Sequence, residues 1–287
     1  MSRIVGIGEV LWDMLPRGKA LGGAPTNVVC HCHTLGADAL GREIIARLAQ
    51  LGVPNTGIAV IDGQPTGTVS VTLDGAGVPT FTIHEPAAWD FIPANAAARA
   101  LVRGADAVCF GSLAQRAPVA RAGMAALLDE VRPAALRVFD INLRQHYYSR
   151  EIIHASLQRA TVLKVNDQEL PVLAQMFGLT GAPRAQLEQL RQRHALAAVA
   201  LTRGAHGSAL CVRGAWVEHP GCAVDACDTV GAGDAFTAAL ILGLLRGWDA
   251  ARISDAANRV AAFVCTQHGA TPAMPPVLRA LFAEMLY

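Results

Sequence analysis

Hydrophobic and polar positions repeat with two periods along this chain, and each period predicts a different kind of element. Short apolar runs bounded by turn residues predict strands over residues 3–8, 66–73, 79–83, 107–110, 136–140, 161–165, 198–202, 208–212 and 215–218. Apolar positions at helical spacing predict helices over residues 27–35, 40–51, 119–131, 150–159, 167–177, 184–194, 233–246, 252–268 and 276–285. Strands and helices alternate over most of the chain, so we expect an α/β fold with buried parallel strands.

One stretch breaks this alternation and predicts a separate small sheet. The β-rich segments 66–73 and 79–83 follow each other directly, and Asp74-Gly75 between them is a hairpin turn signal. No internal repeat, low-complexity tract or long linker divides the chain. We therefore predict one domain over residues 1–287, with a small β lid built from segments at about 12–25 and 64–90.

The composition narrows the class of protein. Of the 287 residues, 52% are hydrophobic and 16% are charged, and the formal net charge is +1. This balance excludes intrinsic disorder and argues against a dedicated nucleic-acid binder. No run of about 18 uncharged apolar residues is present, so we expect no membrane span. The first apolar stretch is short and contains Glu9 and Asp13, so we expect no signal peptide, a cytoplasmic location and reduced cysteines.

The most informative segment is Asp228-Thr-Val-Gly-Ala-Gly-Asp-Ala-Phe236, which leads into an apolar helix. A Gly-Ala-Gly turn that enters a helix leaves free backbone amides, and these favour an anion. Gly231 and Gly233 would let a phosphate approach the backbone without a Cβ in the way. Asp234 would then accept the proton of a hydroxyl that attacks the phosphate, although a simple helix-capping role is the alternative.

This string resembles the C-terminal signature of the ribokinase-like (PfkB) carbohydrate kinases, and further motifs extend the resemblance over nearly the whole chain. Gly22-Gly-Ala-Pro-Thr-Asn27 resembles the family's sugar-binding loop in its fructokinase form. Asn166-Asp-Gln-Glu169 resembles the Asn-x-x-Glu motif, and Thr202-Arg-Gly-Ala-His-Gly207 resembles the turn on the nucleotide side. The resemblance implies a three-layer αβα sandwich with a β-sheet lid, and ATP-dependent phosphorylation of a sugar hydroxyl.

The resemblance also implies a role for each matching residue around the transferred phosphoryl group. Asp234 would be the catalytic base, in an anion hole formed by Gly231, Ala232 and Gly233. Asn166 and Glu169 would support Mg²⁺ through water. Many family members also bind K⁺, and here Asp228 matches its side-chain ligand, with the backbone around Val230, Val264 and Gly269.

The sugar and the nucleotide would each have their own set of residues. The residues implied for the sugar are Asp13, Gly22, Gly23 and Asn27. Those implied for the nucleotide are Thr202, Gly204, Gly207 and Asn258. Arg144 follows a strand end, where open α/β sheets place ligands. Two interpretations are therefore open: Arg144 contacts the sugar or the phosphate, or it is a surface arginine.

Fructose is the first candidate substrate because of the Gly-Gly-Ala-Pro-Thr-Asn loop. A 2-keto-3-deoxygluconate kinase and another sugar or nucleoside kinase are the alternatives that share this machinery. A catalytically inactive sugar-binding regulator is an alternative of another class. A dinucleotide oxidoreductase is disfavoured, because Leu11 stands where the third glycine of the fingerprint at Gly6-Ile-Gly8 belongs. The expected partners are a small sugar, ATP and a second copy bound through the lid.

Two further features leave structural alternatives. Cys30-His-Cys-His33 invites a metal-site hypothesis, but in the predicted helix neighbours at i and i+2 would diverge, so we expect a partly buried helix instead. Trp89 follows the lid hairpin, and it would either pack over the sugar or anchor the lid.

The segment Leu35-Gly-Ala-Asp-Ala-Leu-Gly41 departs from the family pattern. In the family, Leu-Gly after the first helix is followed by a core strand and then by Gly-x-Asp-x-x-Gly. Here the two ends are joined, which predicts that the strand is absent. Either residues are missing from the chain between 35 and 39, which would leave a broken peptide bond, or the sheet has rearranged. We expect the first, because a buried strand is costly to delete.

Overall fold

The computed structural model describes residues 2–15, 18–28, 32–73 and 79–283. The chain forms two compact units. The first contains Arg3–Ala135 and returns for Arg144–Tyr148, whereas the second contains Leu136–Leu143 and Ser149–Tyr287. The prediction of a single domain stays a prediction. Among the described residues, no helix has both the length and the apolar character needed to span a membrane.

The first unit contains two sheets and the helices of the N-terminal half. Its strands are β1 (Ile4–Gly8), β2 (Leu11–Leu15), β3 (Gly18–Gly22), β4 (Cys32–Gly36), β5 (Ala59–Ile61), β6 (Gly67–Leu73), β7 (Pro79–Ile83) and β8 (Ala107–Phe110). Its helices are α1 (Ala24–Val28), α2 (Ala39–Gln50), α3 (Ala96–Arg103) and α4 (Pro118–Leu128). The strand pattern did not predict β2, β3 and β5, and the helical pattern did not predict α3.

The larger sheet of this unit is parallel, in the order β8-β1-β4-β5. Val5 pairs with Val108, and Ile7 pairs with both Phe110 and Cys32. Every residue of β8 is buried, and so are four of the five in β1. This burial explains why both strands are continuous apolar runs, since a parallel strand is covered on both faces.

The smaller sheet has the order β3-β2-β6-β7 and lies within the predicted lid segments. It mixes antiparallel and parallel pairs, because β2 pairs antiparallel with β3 and parallel with β6. The predicted β-only piece is therefore confirmed. The predicted turn at Asp74-Gly75 lies outside the described residues.

The prediction that a core strand is missing is wrong. β4 is that strand, and it pairs in parallel with β1 on one side and β5 on the other. The described part of the preceding helix, α1, runs from Ala24 to Val28. The predicted helix over 27–35 is therefore wrong from residue 32 onward, and Cys30 and His31 lie outside the described residues.

The connection from β4 to α2 is a regular capped turn. Ala37 N donates to Ile61 O at 3.3 Å, and Asp38, with extended φ −117° and ψ −178°, is the helix N-cap. The Asp38 carboxylate accepts from Gly41 N at 2.7 Å and from Thr66 N at 2.8 Å. Strand and helix are thus joined by a hydrogen-bonded turn, and the predicted break in the peptide chain stays a prediction.

The second unit contains one mixed sheet, in the order β13-β12-β11-β10-β9. Its strands are β9 (Leu136–Asp140), β10 (Val162–Asn166), β11 (Ala198–Thr202), β12 (Ser208–Val212) and β13 (Ala215–His219). Its helices are α5 (Arg150–Arg159), α6 (Glu169–Phe177), α7 (Pro183–Arg193), α8 (Ala232–Leu245), α9 (Ala250–Cys265) and α10 (Pro276–Leu281). The strands β9, β10 and β11 are parallel, and β12 and β13 extend the sheet antiparallel. Each of these elements was predicted to within a few residues.

The helix α8 is apolar on nearly every side, which predicts a buried helix rather than a surface one. It packs against α9 and contacts β9. Phe236, Leu240 and Ile241 are buried along it. The burial of α8 fixes where its N-terminus lies, and that end carries the most informative motif of the chain.

Candidate active site

The N-terminus of α8 begins at a glycine that no other residue could replace without strain. Gly231 is the N-cap, with left-handed φ of +79°. A Cβ there would lie 2.5 Å from the Cα of Ala270. Among the described residues no side chain caps this N-terminus, and the amide of Ala232 donates to Thr229 O at 3.3 Å. A helix start without a side-chain cap favours an anion.

Asp234 lies in the first turn of α8, where the helix dipole stabilises a carboxylate. The N-cap position belongs to Gly231, so the simple capping role considered for Asp234 does not hold. The structure brings Gly231, Ala232, Gly233 and Asp234 together on this one turn, as the motif predicts. A carboxylate beside the amides of a helix N-terminus is an arrangement that can serve proton removal and charge stabilisation.

Asp228 connects the loop before α8 to the segment after α9. Its carboxylate accepts from Val230 N at 3.0 Å and from Gly269 N at 2.9 Å. Cys227 N also donates to Cys265 O at 2.9 Å, so the two segments share backbone hydrogen bonds. Val230 and Gly269, whose backbone was expected around K⁺, therefore lie beside Asp228, while Val264 is buried in α9.

The Asn166 and Glu169 pair shapes the loop after β10. Asn166 Oδ1 accepts from Glu169 N at 2.8 Å, and Glu169 Oε2 accepts from Asn166 N at 2.9 Å. The other oxygen, Oε1, accepts from Leu143 N at 3.0 Å. Burial raises the pKa of Glu169, and the charge of Lys164 opposes that rise.

These contacts bear on whether the pair fits a metal ion. Both carboxylate oxygens of Glu169 already accept amides, which suits support of Mg²⁺ through water better than direct ligation. Within the described ranges, no group of three or more His, Cys, Asp or Glu residues could hold a metal ion directly. The residues present therefore fit the indirect role that the motif implies.

A buried ion pair below α8 was not found by sequence reasoning. Lys164 Nζ lies 3.0 Å from Asp140 Oδ1, and the two side chains are 3% and 2% exposed. Asp140 Oδ2 accepts from Thr237 Oγ1 at 2.7 Å. A lysine inside an otherwise apolar strand, at Val162-Leu-Lys-Val-Asn166, is the signal that could have pointed to it.

The residues implied for the nucleotide are spread over β11, the following turn and α9. Thr202 ends β11, and Gly204 and Gly207 have φ of +54° and +76°. A Cβ at Gly207 would lie 2.0 Å from His219 O, so only glycine fits there. Asn258 is buried, and its Nδ2 donates to Ser208 Oγ and to Ser254 O, both at 2.8 Å. The hydrogen bond of Asn258 to Ser208 connects α9 to β12.

The residues implied for the sugar lie together in the first unit. A Cβ at Gly22 would lie 2.4 Å from Asp13 Oδ2, so this glycine leaves room for the carboxylate. Burial raises the pKa of Asp13 to about 6, and the nearby charge of Arg144 partly opposes this rise. Asn27 N donates to Gly23 O at 2.9 Å, which closes the turn that begins α1.

Sequence reasoning missed the role of Glu9 in this loop. It is buried, and its Oε1 accepts from Ala24 N at 3.2 Å. Its main-chain O accepts from Thr26 Oγ1 at 3.0 Å. A Cβ at Gly23, whose φ is +107°, would lie 2.4 Å from that same oxygen. Glu9 thus holds the loop that begins α1 in place, and only its position next to Gly8 in the first strand segment could have suggested this.

A comparison with models of protein families shows which family this chain belongs to. The model described as "pfkB family carbohydrate kinase" matches residues 19–276, about nine-tenths of the sequence. The chain belongs to this family. It is therefore a carbohydrate kinase, and the predicted ribokinase-like α/β fold with a small additional sheet is confirmed.

Relatives of this pfkB kinase agree over nearly their whole length. A fructokinase of Escherichia coli is 29% identical over 297 aligned residues, which cover 94% of this chain and 95% of the relative. The alignment uses about 270 of the 287 residues, so about 27 positions fall opposite gaps in this chain.

Solved structures show the same fold. An uncharacterised sugar kinase from Pyrococcus horikoshii in complex with ATP has 26% identity and a TM-score of 0.81, over 97% of this chain and 99% of that one. A double-mutant fructokinase from Vibrio cholerae O395, in its fructose, ADP and potassium ion bound form, has 25% identity and a TM-score of 0.81. That likeness covers 99% of both chains.

Trp89 of this pfkB kinase is an anchor of the small sheet. Its side chain is 0% exposed, and it packs in a cluster with Leu11, Val69 and Ile83. The guanidinium of Arg116 lies 5.0 Å above its ring. A fully buried ring cannot face a sugar, so the interpretation of Trp89 as a sugar-stacking residue is wrong.

Proposed function

We propose that this kinase transfers the γ-phosphoryl group of ATP to a hydroxyl of a sugar, and that the sugar is fructose. The observation that carries the proposal is the uncapped N-terminus of α8 with Asp234 in its first turn. The fructokinase relative in Escherichia coli and the fructose-bound structure from Vibrio cholerae support fructose. The Gly22-Gly-Ala-Pro-Thr-Asn27 loop supports it as well.

In this proposal the first turn of α8 carries the chemistry. Asp234 accepts the proton of the attacking hydroxyl, and the amides of Gly231, Ala232 and Gly233 stabilise the charge on the transferred group. Phosphoryl transfer has a loose transition state, so catalysis depends mostly on positioning and charge neutralisation. Mg²⁺, when bound, supplies further charge neutralisation, and Asn166 and Glu169 would hold it through water.

The sugar and the nucleotide bind the residue sets described above. Asp13, Gly22, Gly23 and Asn27 hold sugar hydroxyls, and the buried carboxylate of Asp13 is suited to accept them. Thr202, Gly204, Gly207 and Asn258 form the nucleotide side. Asp228 is the candidate K⁺ ligand, supported by the potassium ion in the related Vibrio structure.

A 2-keto-3-deoxygluconate kinase is the second candidate, and one observation favours it. Arg144 lies close enough to Asp13 for its charge to oppose the rise in the pKa of that carboxyl. A guanidinium in the sugar site would pair well with the carboxylate of a sugar acid. Fructose has no such group, so the two substrates make different use of Arg144.

The experiment is ADP release over a panel of fructose, 2-keto-3-deoxygluconate, ribose and a nucleoside, with KCl or NaCl as the salt. Fructose should give the highest kcat/KM, and Asp234→Asn should lower kcat by about 10³-fold. Preference for the sugar acid, abolished by Arg144→Met, would support the second candidate. Near-normal turnover in Asp234→Asn would contradict the assignment of the base.

We also propose that the kinase is a cytoplasmic homodimer that pairs through its small sheet. Met14, Leu15 and Phe81 expose their side chains on β2 and β7, and Phe81 is 48% exposed. β7 is an edge strand of the small sheet, and an exposed edge beside apolar side chains favours pairing with a second copy. The free cysteines at 109, 211, 222, 227 and 265 fit a reducing compartment. Light scattering of the wild type and of Phe81→Ser measures the mass in solution.

A further inference from the structure

A buried ammonium group lies between the central strands of the second unit. Lys164 is in the middle of β10 and pairs in register with Asp140 of β9, so both side chains leave the same face of the sheet. Lys164 Nζ lies 3.0 Å from Asp140 Oδ1, with both side chains almost fully buried. A lysine this deeply buried is rare in proteins unless an acidic partner compensates its charge.

This ammonium lies directly beneath the first turn of α8. A Cβ added to Gly233 would lie 3.0 Å from Lys164 Nζ. One turn further along the same helix, Thr237 Oγ1 donates to the second oxygen of Asp140 at 2.7 Å. The Lys164–Asp140 pair therefore lies close to Gly233 and is joined to α8 by the hydrogen bond from Thr237, four residues further along the helix.

Three acidic side chains surround the ammonium of Lys164. Burial alone would lower its pKa, but the carboxylates of Asp140, Glu169 and Asp234 raise it above the usual value. Asp140 belongs to β9, Glu169 to α6 and Asp234 to α8, so acidic groups face the ammonium from three elements. A fixed positive charge at the N-terminus of a helix adds to the field of the helix amides.

We propose that Lys164 is a positioning residue for phosphoryl transfer. Its ammonium places a fixed positive charge under the turn of Gly231, Ala232 and Gly233 and, through Asp140 and Thr237, holds the first turn of α8 in place. The inference rests on the proposed function and adds a charge that none of the motif residues supplies. The simpler alternative is that Lys164 only neutralises Asp140 inside the fold.

The test uses variants that separate stability from catalysis. Lys164→Met leaves Asp140 buried without its partner, so the melting temperature should fall by about 10 °C. Lys164→Met with Asp140→Asn removes both charges, and the amide oxygen that Asp140→Asn introduces can still accept from Thr237. This double variant should melt within about 3 °C of wild type, because replacing a buried ion pair is often neutral. Asp140→Asn alone is the matched control that keeps the ammonium.

Measurements of kcat and KM distinguish a positioning role of Lys164 from simple neutralisation of Asp140. Relative to Asp140→Asn, the double variant should lose about 10²-fold in kcat, with KM for ATP and sugar changed less than about threefold. Lys164→Arg keeps the charge but not the shape, and it should retain a higher kcat than Lys164→Met. A double variant with normal melting and the kcat of Asp140→Asn would overturn the proposal. So would a kcat for Lys164→Met equal to that of Lys164→Arg.

A binding measurement keeps this inference separate from the proposed function. Calorimetry compares ADP alone with ADP plus tetrafluoroaluminate, which mimics the transferring phosphoryl group. The double variant should bind ADP as Asp140→Asn does, but lose about 30-fold or more in affinity for the mimic. If wild type releases no ADP with any sugar, the proposed function fails, and the affinity for the mimic still decides the role of Lys164. Equal affinities of the double variant and of Asp140→Asn for the mimic would overturn the proposal for Lys164.

Discussion

Gly231→Ala would test whether the geometry at the start of α8 controls catalysis. Gly231 has φ of +79°, and a new Cβ would lie 2.5 Å from the Cα of Ala270 and 2.6 Å from its O. The left-handed backbone alone costs about 1–2 kcal/mol for a residue with a Cβ. Contacts under 3.0 Å with backbone atoms add to this, because the turn or the segment at Ala270 must move.

The same helix offers a matched control. Gly247 follows the other end of α8 with φ of +68°, but a Cβ there would meet nothing within 4 Å. Gly247→Ala should therefore show only the backbone cost of about 1–2 kcal/mol, and Gly231→Ala should exceed it by a further ~2 kcal/mol or more. Thermal unfolding of both variants beside wild type gives the difference.

The activity assay then links this strain to the site. A shift of about 1 Å in the amides of α8 should lower kcat by about 10²-fold in Gly231→Ala, whereas Gly247→Ala should keep kcat near wild type. Coupled measurement of ADP release on fructose gives both values. Equal losses of stability in the two variants, with kcat unchanged in both, would refute the assignment of Gly231 to a strained turn that positions the anion hole.

Further outcomes follow from two side chains in the first unit, Asp13 and Trp89. Because burial raises the pKa of Asp13 from 3.8 to about 6, its folded form holds a proton more tightly than the unfolded chain. Stability should therefore fall as pH rises from about 4 to 6, and Asp13→Asn should flatten that slope in melting curves. The KM for sugar should rise as pH falls below about 6, where Asp13 loses the charge that accepts hydroxyls. Trp89→Ala should cost about 3–5 kcal/mol of stability, with sugar KM unchanged in the folded enzyme; a raised KM at unchanged stability would contradict its role as an anchor.

The local structure at the start of α8 was predictable because it lies in one continuous segment. The string from Asp228 to Phe236 contains the glycines, the aspartate and the start of an apolar helix, and local backbone rules connect them. The strands of the second unit were predictable for a similar reason, since buried parallel strands are short apolar runs between turns. In these places local pattern and tertiary structure agree.

The features that the sequence did not predict depend on contacts between residues that are far apart in the chain. β4 was mistaken for part of a helix because its strand identity comes from pairing with β1 and β5, which no local pattern reveals. Lys164 donates a hydrogen bond to Asp140, which is 24 residues away in the sequence and lies on the neighbouring strand. Trp89 could be recognised as an anchor only when its burial beside Arg116 was known. Side-chain environment was therefore the part that the sequence could not supply.

The chain enters the first unit twice, and this limits how the enzyme can be dissected. A fragment that ends at Ala135 would lack Arg144–Tyr148, which belongs to the same unit. Within that segment Gln145 Nε2 donates to Phe81 O at 2.8 Å, and Arg116 lies 4.9 Å above the ring of Tyr147. Neither unit is a contiguous stretch of sequence, so a single proteolytic cut cannot release either one intact. Independent expression of the two halves would require circular permutation or a grafted return segment rather than truncation.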